Sequence, residues 1–383
     1  MAQIDILEQT QSIVRDVVEP DASRVDQEAA WPEPGLRAIQ AAGLGGLVAP
    51  VSAGGLGYGM LGLLQVCEIL GRACPSTGLC FGMHCVGTAA ITAKHTDQQH
   101  SQLLEPICRG EHLTTLALSE PGTGSHLWLA ETQIEHHEQG YRVHGRKAFV
   151  TGAGHCDSYV LSAVAAEADA PPGMFSCVVV PSDADGVVWG QPWDGLGMRG
   201  NASTTMDLND VSLPAENLLG EEGEQLWYVF NVIAPYFLMA MTGTYLGIAS
   251  AALEEARQHM RKRQYSHSGR TVADQPVLQH RLGQLWGEVE RTRRLAYHAA
   301  AAGDAGEEQA LPAMLSAKAE VGQSAVHVAN EAMTLCGGTA YREHSRLGQL
   351  LRDARAAHVM APTTDLLWTW VGRSLLDLPL LSD

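Results

Sequence analysis

The sequence has no excess of basic residues, and this absence limits the partners that the protein is expected to bind. Its 383 residues include 25 Lys and Arg against 43 Asp and Glu, which gives a formal net charge of −18. A nucleic-acid-binding surface needs a basic patch or stripe that neutralises phosphates. We therefore expect no nucleic-acid partner. The 45% hydrophobic and 18% charged residues are typical of an ordinary globular chain.

Cysteine patterns typical of metal centres are also missing. The eight cysteines form no Cys-x-x-Cys pair, and the adjacent His136 and His137 have no cysteine or acid at ligand spacing. Because a structural metal site needs several such ligands at fixed spacing, the sequence predicts no metal site. The thiols are expected to be free.

Signals for export and for membrane insertion are absent as well. The N-terminal stretch MAQIDILEQTQSIVRDV is amphipathic and acidic, whereas an export signal is basic and then apolar. No apolar run reaches the length of a spanning helix, since LLQVCEILG is interrupted by Glu68. We expect a protein without membrane insertion, located in the cytoplasm, where thiols stay reduced.

Three zones of different periodicity divide the chain. Residues 1–112 carry apolar positions at helical spacing, as in GLRAIQAAG. Residues 113–220 change to short β-rich runs such as YRVHGRKAFV and MFSCVVVP. Residues 221–383 return to long helical segments, which must bury their apolar stripes on one another. The sequence therefore predicts an α+β protein with an N-terminal helical domain, a middle β-barrel or sheet domain and a C-terminal four-helix bundle.

The stretch LALSEPGTGSHLWLAE, residues 116–131, is the most unusual short segment of the chain. It begins as an alternating apolar strand and breaks into a glycine-containing turn, around which stand the hydroxyl residues Ser119, Thr123 and Ser125. A turn of bare backbone flanked by hydroxyls offers hydrogen bonds to a flat polar ligand. The segment is therefore a candidate binding element.

Four motifs, read in order, resemble those of the acyl-CoA dehydrogenases. ALSEPGTGSH is similar to the family's Thr-Glu-Pro-Gly-Ala-Gly-Ser-Asp signature, and GRKAFVTGAG to its Gly-x-Lys-x-Trp-Ile-Thr-Asn-Gly strand. GMRGNASTTMDLNDVSLPAENLLG and LCGGTAYREHSRLGQLLRDAR resemble two later family segments. One such match is weak, but four collinear matches on a matching helix, strand and helix order are specific. The resemblance covers nearly the whole chain.

This resemblance implies an FAD held between the middle domain and the C-terminal bundle, completed by a second subunit of a homodimer or homotetramer. It places the flavin ring against two middle-domain segments. Phe149 stands where the family usually has a Trp beside the ring, and Thr151 where a Thr meets the ring's N5 edge. The first segment contributes Leu118, Ser119, Gly124 and Ser125, along the flavin and the neck of the substrate channel.

The resemblance implies further cofactor contacts from the bundle. Gly337 and Gly338 would let the neighbouring subunit's helix approach the ADP part of FAD. Thr363 and Asp365 fall where relatives contact FAD. Arg270, or Arg263, would replace an arginine that in the family reaches the partner's pyrophosphate, because Tyr265 occupies its usual register here.

The chain departs from the family where the catalytic glutamate is expected. That glutamate removes an α-proton next to the thioester while a hydride passes to the flavin. Its usual place, after the Arg-Asp-Ala-Arg helix, is Ala361 here, and the alternative place on the first bundle helix is Phe237. Three other residues are candidates for moving a proton. They are His84 on a helix that lines the acyl cavity in relatives, Tyr236, and His358 near the vacant position.

Three functions remain open from the sequence. The leading hypothesis is an FAD-dependent oxidoreductase of acyl-CoA dehydrogenase type, acting on an acyl thioester of CoA or a carrier protein with a non-standard base. The alternative is a flavin monooxygenase of the same superfamily, supplied by a separate reductase, because such enzymes also lack the glutamate. The third is a flavoprotein that binds thioesters without redox chemistry. The substrate is a small molecule or an acyl thioester in each case, and an electron-transfer partner is expected for the first.

Overall fold

The N-terminal domain is a set of helices around one helix, Pro75–Ala93, that is buried over nearly all of its length. The computed structural model describes residues 5–167, 171 and 173–381. The helices are α1 (Ile6–Ile13), α2 (Glu19–Gln27), α3 (Glu33–Ala41), α4 (Met60–Ala73), α5 (Pro75–Ala93), α6 (Asp97–Gln99) and α7 (Glu105–Cys108). Helix α5 is apolar on every side and packs against α4, the sheet and the C-terminal bundle, as expected for a helix in the centre of a core.

The middle domain is a mixed sheet. Its strands are β1 (Thr114–Ala117), β2 (Gln133–His137), β3 (Gly140–Val150), β4 (Ser158–Ala165), β5 (Phe175–Pro181), β6 (Val187–Trp189), β7 (Thr204–Pro214) and β8 (Leu218–Leu219). They are ordered β6-β7-β3-β2-β4-β5-β8, with β1 paired to β4. Strands β1 and β2 run parallel to β4, and the other pairs are antiparallel.

The C-terminal domain is a helical bundle. It contains α8 (Gln225–Tyr228), α9 (Ala234–Lys262), α10 (Pro276–Ala305), α11 (Ala310–Cys336), α12 (Arg346–Val359) and α13 (Thr364–Leu375). Helices α9 to α12 pack on one another, and α13 packs on α11. Helix α9 also lies against α4, where a Cβ added at Gly243 would be 2.2 Å from the carbonyl oxygen of Leu64. Only glycine permits this approach. The predicted α+β class and the helix, sheet, bundle order are confirmed.

One helix is long and apolar enough to cross a membrane by length and composition. Helices α8 and α9 are joined by the π-helical turn Val229–Ile233, so residues 225–262 form one continuous helical stretch with the length and hydropathy of a membrane-spanning helix. However, 78% of its apolar window is buried inside the protein. The expectation that no such run exists was therefore wrong. The burial is typical of the core helix of a bundle.

A group of charged residues joins the three domains. Arg352 on α12 pairs with Asp26 on α2, at 2.6 Å between Nη2 and Oδ2. The neighbouring Asp353 is fully buried, and its Oδ1 accepts a hydrogen bond from the N–H of Met198 at 2.6 Å. Arg199 donates from Nε to the carbonyl oxygen of Asp26 at 2.7 Å. Each domain thus contributes to one hydrogen-bonded junction.

Asp353 is expected to make the stability of the fold fall as the pH rises through about 6. Burial raises the pKa of its carboxyl from 3.8 to about 6, so the folded chain holds a proton that the unfolded chain has released. Its stabilising contribution is full below pH 3.8 and is lost as the pH passes 6. A shift of this size corresponds to about 3 kcal/mol.

The Asp353→Asn variant tests this expectation, because its amide oxygen still accepts from Met198 and does not titrate. Urea unfolding at pH 4.5, 5.5 and 7.5 should show the variant gaining on the wild type as the pH rises. The exposed Asp183→Asn substitution removes the same charge on the surface and serves as the control. A constant free-energy difference between wild type and D353N at all three pH values would contradict the expectation.

Candidate active site

A buried ion pair closes the glycine-containing turn on itself. Lys147 on β3 and Glu120 at the start of the turn are 0% and 1% exposed, and Nζ donates directly to the Glu120 carboxylate. That carboxylate also accepts from the N–H groups of Glu131 and Thr132, at 2.5 and 3.2 Å. Lys147 further donates to the carbonyl oxygen of Ser162 at 2.5 Å. The segment from 120 to 132 is therefore a loop whose two ends meet at one carboxylate.

The end of β3 is held beside this loop in an irregular conformation. The N–H of Ala148 donates to the carbonyl oxygen of Ser119 at 2.8 Å, and the register with β7 shifts between Lys147 and Val150. Phe149 has a φ of +55° and its side chain is 68% exposed. A left-handed phenylalanine with an exposed ring is strained, and such strain concentrates at ligand sites. Its ring meets Trp193 edge-on, at 6.3 Å between centroids.

The predicted flavin contacts of the middle domain therefore lie on two adjacent segments. Leu118 is buried, and Ser119 and Ser125 are half-buried. Gly124 has a φ of +56° with open space around its missing Cβ. In the described part of the chain, the N–H groups of Gly124 and Ser125 donate to no acceptor. Thr151 is buried, with its hydroxyl 3.5 Å from that of Ser203.

The turn between α12 and α13 carries the position of the missing glutamate. Ala361 is half-buried there, and Thr363 caps α13 by accepting a hydrogen bond from the N–H of Leu366 at 3.5 Å. Asp365 is exposed in the first turn of α13. The Nε2 atom of His358 is buried and, among the described residues, has no hydrogen-bond partner. Burial and the neighbouring Arg355 lower the pKa of His358, which favours the neutral imidazole.

An aromatic cluster brings the loop 120–132 next to α13. Trp128 from the loop lies 5.5 Å from Trp370 on α13 and 6.4 Å from Phe230, measured between ring centroids. His126 meets Trp128 edge-on at 5.1 Å. The cluster places the loop and the helix that follows position 361 side by side.

The remaining predicted residues lie elsewhere on the bundle. Arg270 is exposed in the hairpin 263–272, where its carbonyl oxygen accepts from the N–H of Tyr265 at 2.8 Å. Gly337 and Gly338 are exposed at the end of α11, with open space around both. In the described part of the chain, these three residues make no hydrogen bond to the middle-domain residues that are predicted to contact the flavin. Their predicted contacts are with FAD of a partner subunit and stay a prediction.

His84 does not have the free nitrogen that a proton-transfer role requires. Its side chain is 1% exposed. Nδ1 accepts from the N–H of Thr114 at 3.2 Å, and Nε2 lies 2.9 Å from the carbonyl oxygen of Gly45. Burial lowers its pKa to about 4. His84 is a neutral core residue that joins α5 to β1, and we do not carry its predicted catalytic role further.

Tyr236 keeps its phenol protonated. It is half-buried near the start of α9, and burial raises its pKa. The adjacent Phe237 and Leu238 leave the alternative glutamate position without a carboxylate. Tyr236 is therefore a hydrogen-bond donor, not a base, at neutral pH.

Sequence reasoning missed two features of this site. Lys147 and Trp128 were not singled out, although Lys147 belongs to the motif GRKAFVTGAG and Trp128 to the stretch 116–131. The available signal was the Lys in GRKAFVTG, which stands two residues before the exposed Phe149, together with an acid in the preceding motif. A lysine inside an apolar strand and an acid just after another such strand are expected to pair when both are buried.

Comparison with known protein families matches the whole of this architecture. Three family models match in order: acyl-CoA dehydrogenase, N-terminal domain, over residues 2–111; the middle domain over 115–211; and the C-terminal domain over 237–376. A probable acyl-CoA dehydrogenase of Bacillus subtilis is 25% identical over 373 residues, covering 97% of both chains.

Solved structures show the same fold. The butyryl-CoA dehydrogenase of Megasphaera elsdenii superposes with a TM-score of 0.91 at 22% identity, covering 98% of both chains. The prolyl acyl carrier protein oxidase AnaB superposes with a TM-score of 0.85 at 20% identity, covering 98% of this chain and 100% of that one. At these identities, the structural likeness establishes the fold.

Proposed function

The chain belongs to the acyl-CoA dehydrogenase family, and from this premise we propose that it is an FAD-dependent oxidoreductase acting on an acyl thioester. The thioester is bound to CoA or to a carrier protein, as in the substrates that name the two structural neighbours described above. The base is not the family's glutamate, because Ala361 and Phe237 occupy its two positions. The observation that supports this part of the proposal is that a half-buried alanine, Ala361, stands in the α12–α13 turn where the family has its glutamate.

The residues present fit a flavin. The free N–H groups of Gly124 and Ser125 and the open space at Gly124 suit the carbonyl-bearing edge of the ring. The exposed ring of Phe149 provides an apolar surface for the flavin. Thr151, directly after the end of β3, supplies a hydroxyl two residues further along the chain. FAD, when bound, supplies a two-electron acceptor for hydride from the substrate.

Among the predicted proton-moving residues, His358 is the best placed to act as the base. It lies three residues before Ala361, its Nε2 is buried without a partner among the described residues, and its pKa is lowered. A neutral imidazole with an unused lone pair accepts a proton at physiological pH. Tyr236 would instead donate a hydrogen bond, because its phenol stays protonated.

Anaerobic mixing of the holoprotein with a panel of acyl thioesters tests the proposal. We expect at least one CoA or carrier-protein thioester to bleach the visible flavin band, because hydride passes to the ring without oxygen. The free acids of the same acyl groups are the matched control, since they lack the thioester that makes the α-proton acidic. The absence of bleaching by every thioester would contradict the dehydrogenase reading.

The monooxygenase alternative is favoured by one observation, the absence of a carboxylate at both glutamate positions. It predicts no anaerobic bleaching and product formation only when a reductase and O₂ are supplied together. If no thioester bleaches the flavin and no product forms with a reductase and O₂, the result would instead support thioester binding without redox chemistry.

The proposed assembly is a homodimer or homotetramer in the cytoplasm. Its supports are the exposed Arg270, Gly337 and Gly338, which the family resemblance assigns to the FAD of a partner subunit. A separate electron-transfer protein, or a flavin reductase under the alternative, would exchange electrons with the bound cofactor.

A further inference from the structure

Lys318 on α11 is a buried lysine whose hydrogen bonds, within the described residues, both go to the turn between α12 and α13. Its side chain is 1% exposed. Nζ donates to the carbonyl oxygen of Met360 at 3.0 Å and to that of Pro362 at 2.7 Å. Among the described residues, no carboxylate forms an ion pair with it. The two acceptors lie directly before and directly after Ala361.

Burying a lysine without a counter-charge costs stability, so the hydrogen bonds that Lys318 makes are expected to have a structural role. Burial lowers the pKa of Lys318 to about 7, which records the penalty for keeping an ammonium away from water without a counter-charge. An apolar side chain of similar length would avoid that penalty. What an apolar residue would not do is satisfy the carbonyl groups of Met360, at the C-cap of α12, and of Pro362, in the turn beyond it.

The geometry of these two bonds constrains the main chain on both sides of Ala361. Because the carbonyl oxygens of Met360 and Pro362 converge on one nitrogen atom, the peptide unit before Ala361 and the one after Pro362 are both oriented towards α11. A second contact comes from α9, where the fully buried Tyr245 donates from Oη to the sulfur of Met360 at 3.7 Å. On the far side, Thr363 begins α13 by capping it.

We infer that Lys318 is a positioning residue for the active site. It fixes the turn 360–362 and thereby sets where residue 361 and the start of α13 stand relative to the cofactor and the thioester. The fixing of the turn follows from the contacts alone, and its consequence for catalysis rests on the proposed function.

Hydrogen exchange measures the first part without reference to activity. In the Lys318→Met holoprotein, the N–H groups in the segment 361–367 (all but Pro362, which has none) should exchange at least about 10-fold faster, those of Leu366 and Leu367 above all, because the first hydrogen bonds of α13 lose their fixed starting point. Val321→Ala is the matched control, since Val321 is fully buried one turn further along α11 and is not bonded to the turn. It should lower the melting temperature and leave exchange at 361–367 unchanged.

The Lys318→Gln variant keeps amide N–H donors on a shorter side chain. Its exchange rates in the segment 361–367 are expected to lie between those of wild type and K318M. If K318M does not fold, K318Q is compared with the wild type in its place. Wild-type exchange rates at 361–367 in a folded variant that lacks the lysine would overturn the inference.

The catalytic consequence is read from anaerobic flavin reduction by the thioester that reduces the wild type. K318M should slow the limiting rate by about 10- to 100-fold with a smaller change in the half-saturating concentration, whereas V321A should match the wild type. Faster exchange with an unchanged reduction rate would overturn the positioning role. If no thioester reduces the wild type, the proposed function has failed, and the exchange data still decide whether Lys318 fixes the turn.

Discussion

Replacing Lys147 by methionine should destabilise the fold by about 3–5 kcal/mol and leave the protein unable to retain a flavin. The substitution keeps the length of the side chain but leaves the carboxylate of Glu120 buried with no counter-charge. Either the carboxyl becomes protonated or the loop opens to water. In both cases the N–H groups of Glu131 and Thr132 lose a charged acceptor, and the loop no longer closes.

The measurement is urea unfolding together with the ratio of visible to ultraviolet absorbance after purification. Lys94→Met is the control, because Lys94 pairs with Glu224 in a partly exposed position where such a pair contributes about 0–1 kcal/mol. Adding Glu120→Gln to the Lys147 variant should recover part of the loss, since it removes the orphaned charge. Wild-type stability and full flavin content in Lys147→Met would show that the ion pair does not hold the site.

The sequence predicted the order of the three domains because periodicity is a local property. Apolar spacing changed from helical to alternating near residue 113 and back near 220, and the strands run from Thr114 to Leu219. Lys147 shows where local reading ends. Its burial depends on a carboxylate 27 residues away and on the carbonyl of Ser162 from a third segment, and the residues next to Lys147 in the sequence do not show that these three groups meet.

The histidines illustrate the same limit at the candidate site. His84 and His358 are both on helices, and the sequence offered both as candidates for moving a proton. The partners that distinguish them come from other elements: Gly45 and Thr114 occupy both nitrogens of His84. For His358, Nε2 is left without a partner among the described residues. Which nitrogen is free is a property of tertiary packing, so spacing along the chain does not reveal it.

At Phe149 the family motif predicted more about the residue's role than the strand periodicity did. Strand alternation does not predict a left-handed residue, a register shift and an exposed ring at that point, because these follow from the pairing of β3 with β7. The resemblance to the family's tryptophan-bearing strand placed an aromatic residue beside a ligand. The conformation of Phe149 is consistent with that placement, and its contact with flavin stays a prediction.

Introducing a glutamate at Ala361 should raise dehydrogenation of an acyl thioester by about 100-fold or more, which is the lower range for a correctly placed general base. Ala361 is half-buried, and Lys318 fixes the carbonyl groups on both sides of it, so the new side chain starts from an ordered main chain. The nearby ammonium also favours an ionised carboxylate, which is the form that accepts the α-proton.

The matched control is Ala361→Gln, which has the same size and cannot accept the proton. Both variants should bind flavin as the wild type does, so the comparison is made on the initial rate of anaerobic bleaching with the same thioester. The bleaching rate of Ala361→Glu should also rise with pH as its carboxyl ionises, and the rate of the glutamine variant should not show this rise. Equal rates for the two variants at every pH would show that residue 361 does not face the α-carbon, and the register assigned to the turn after α12 would then be wrong.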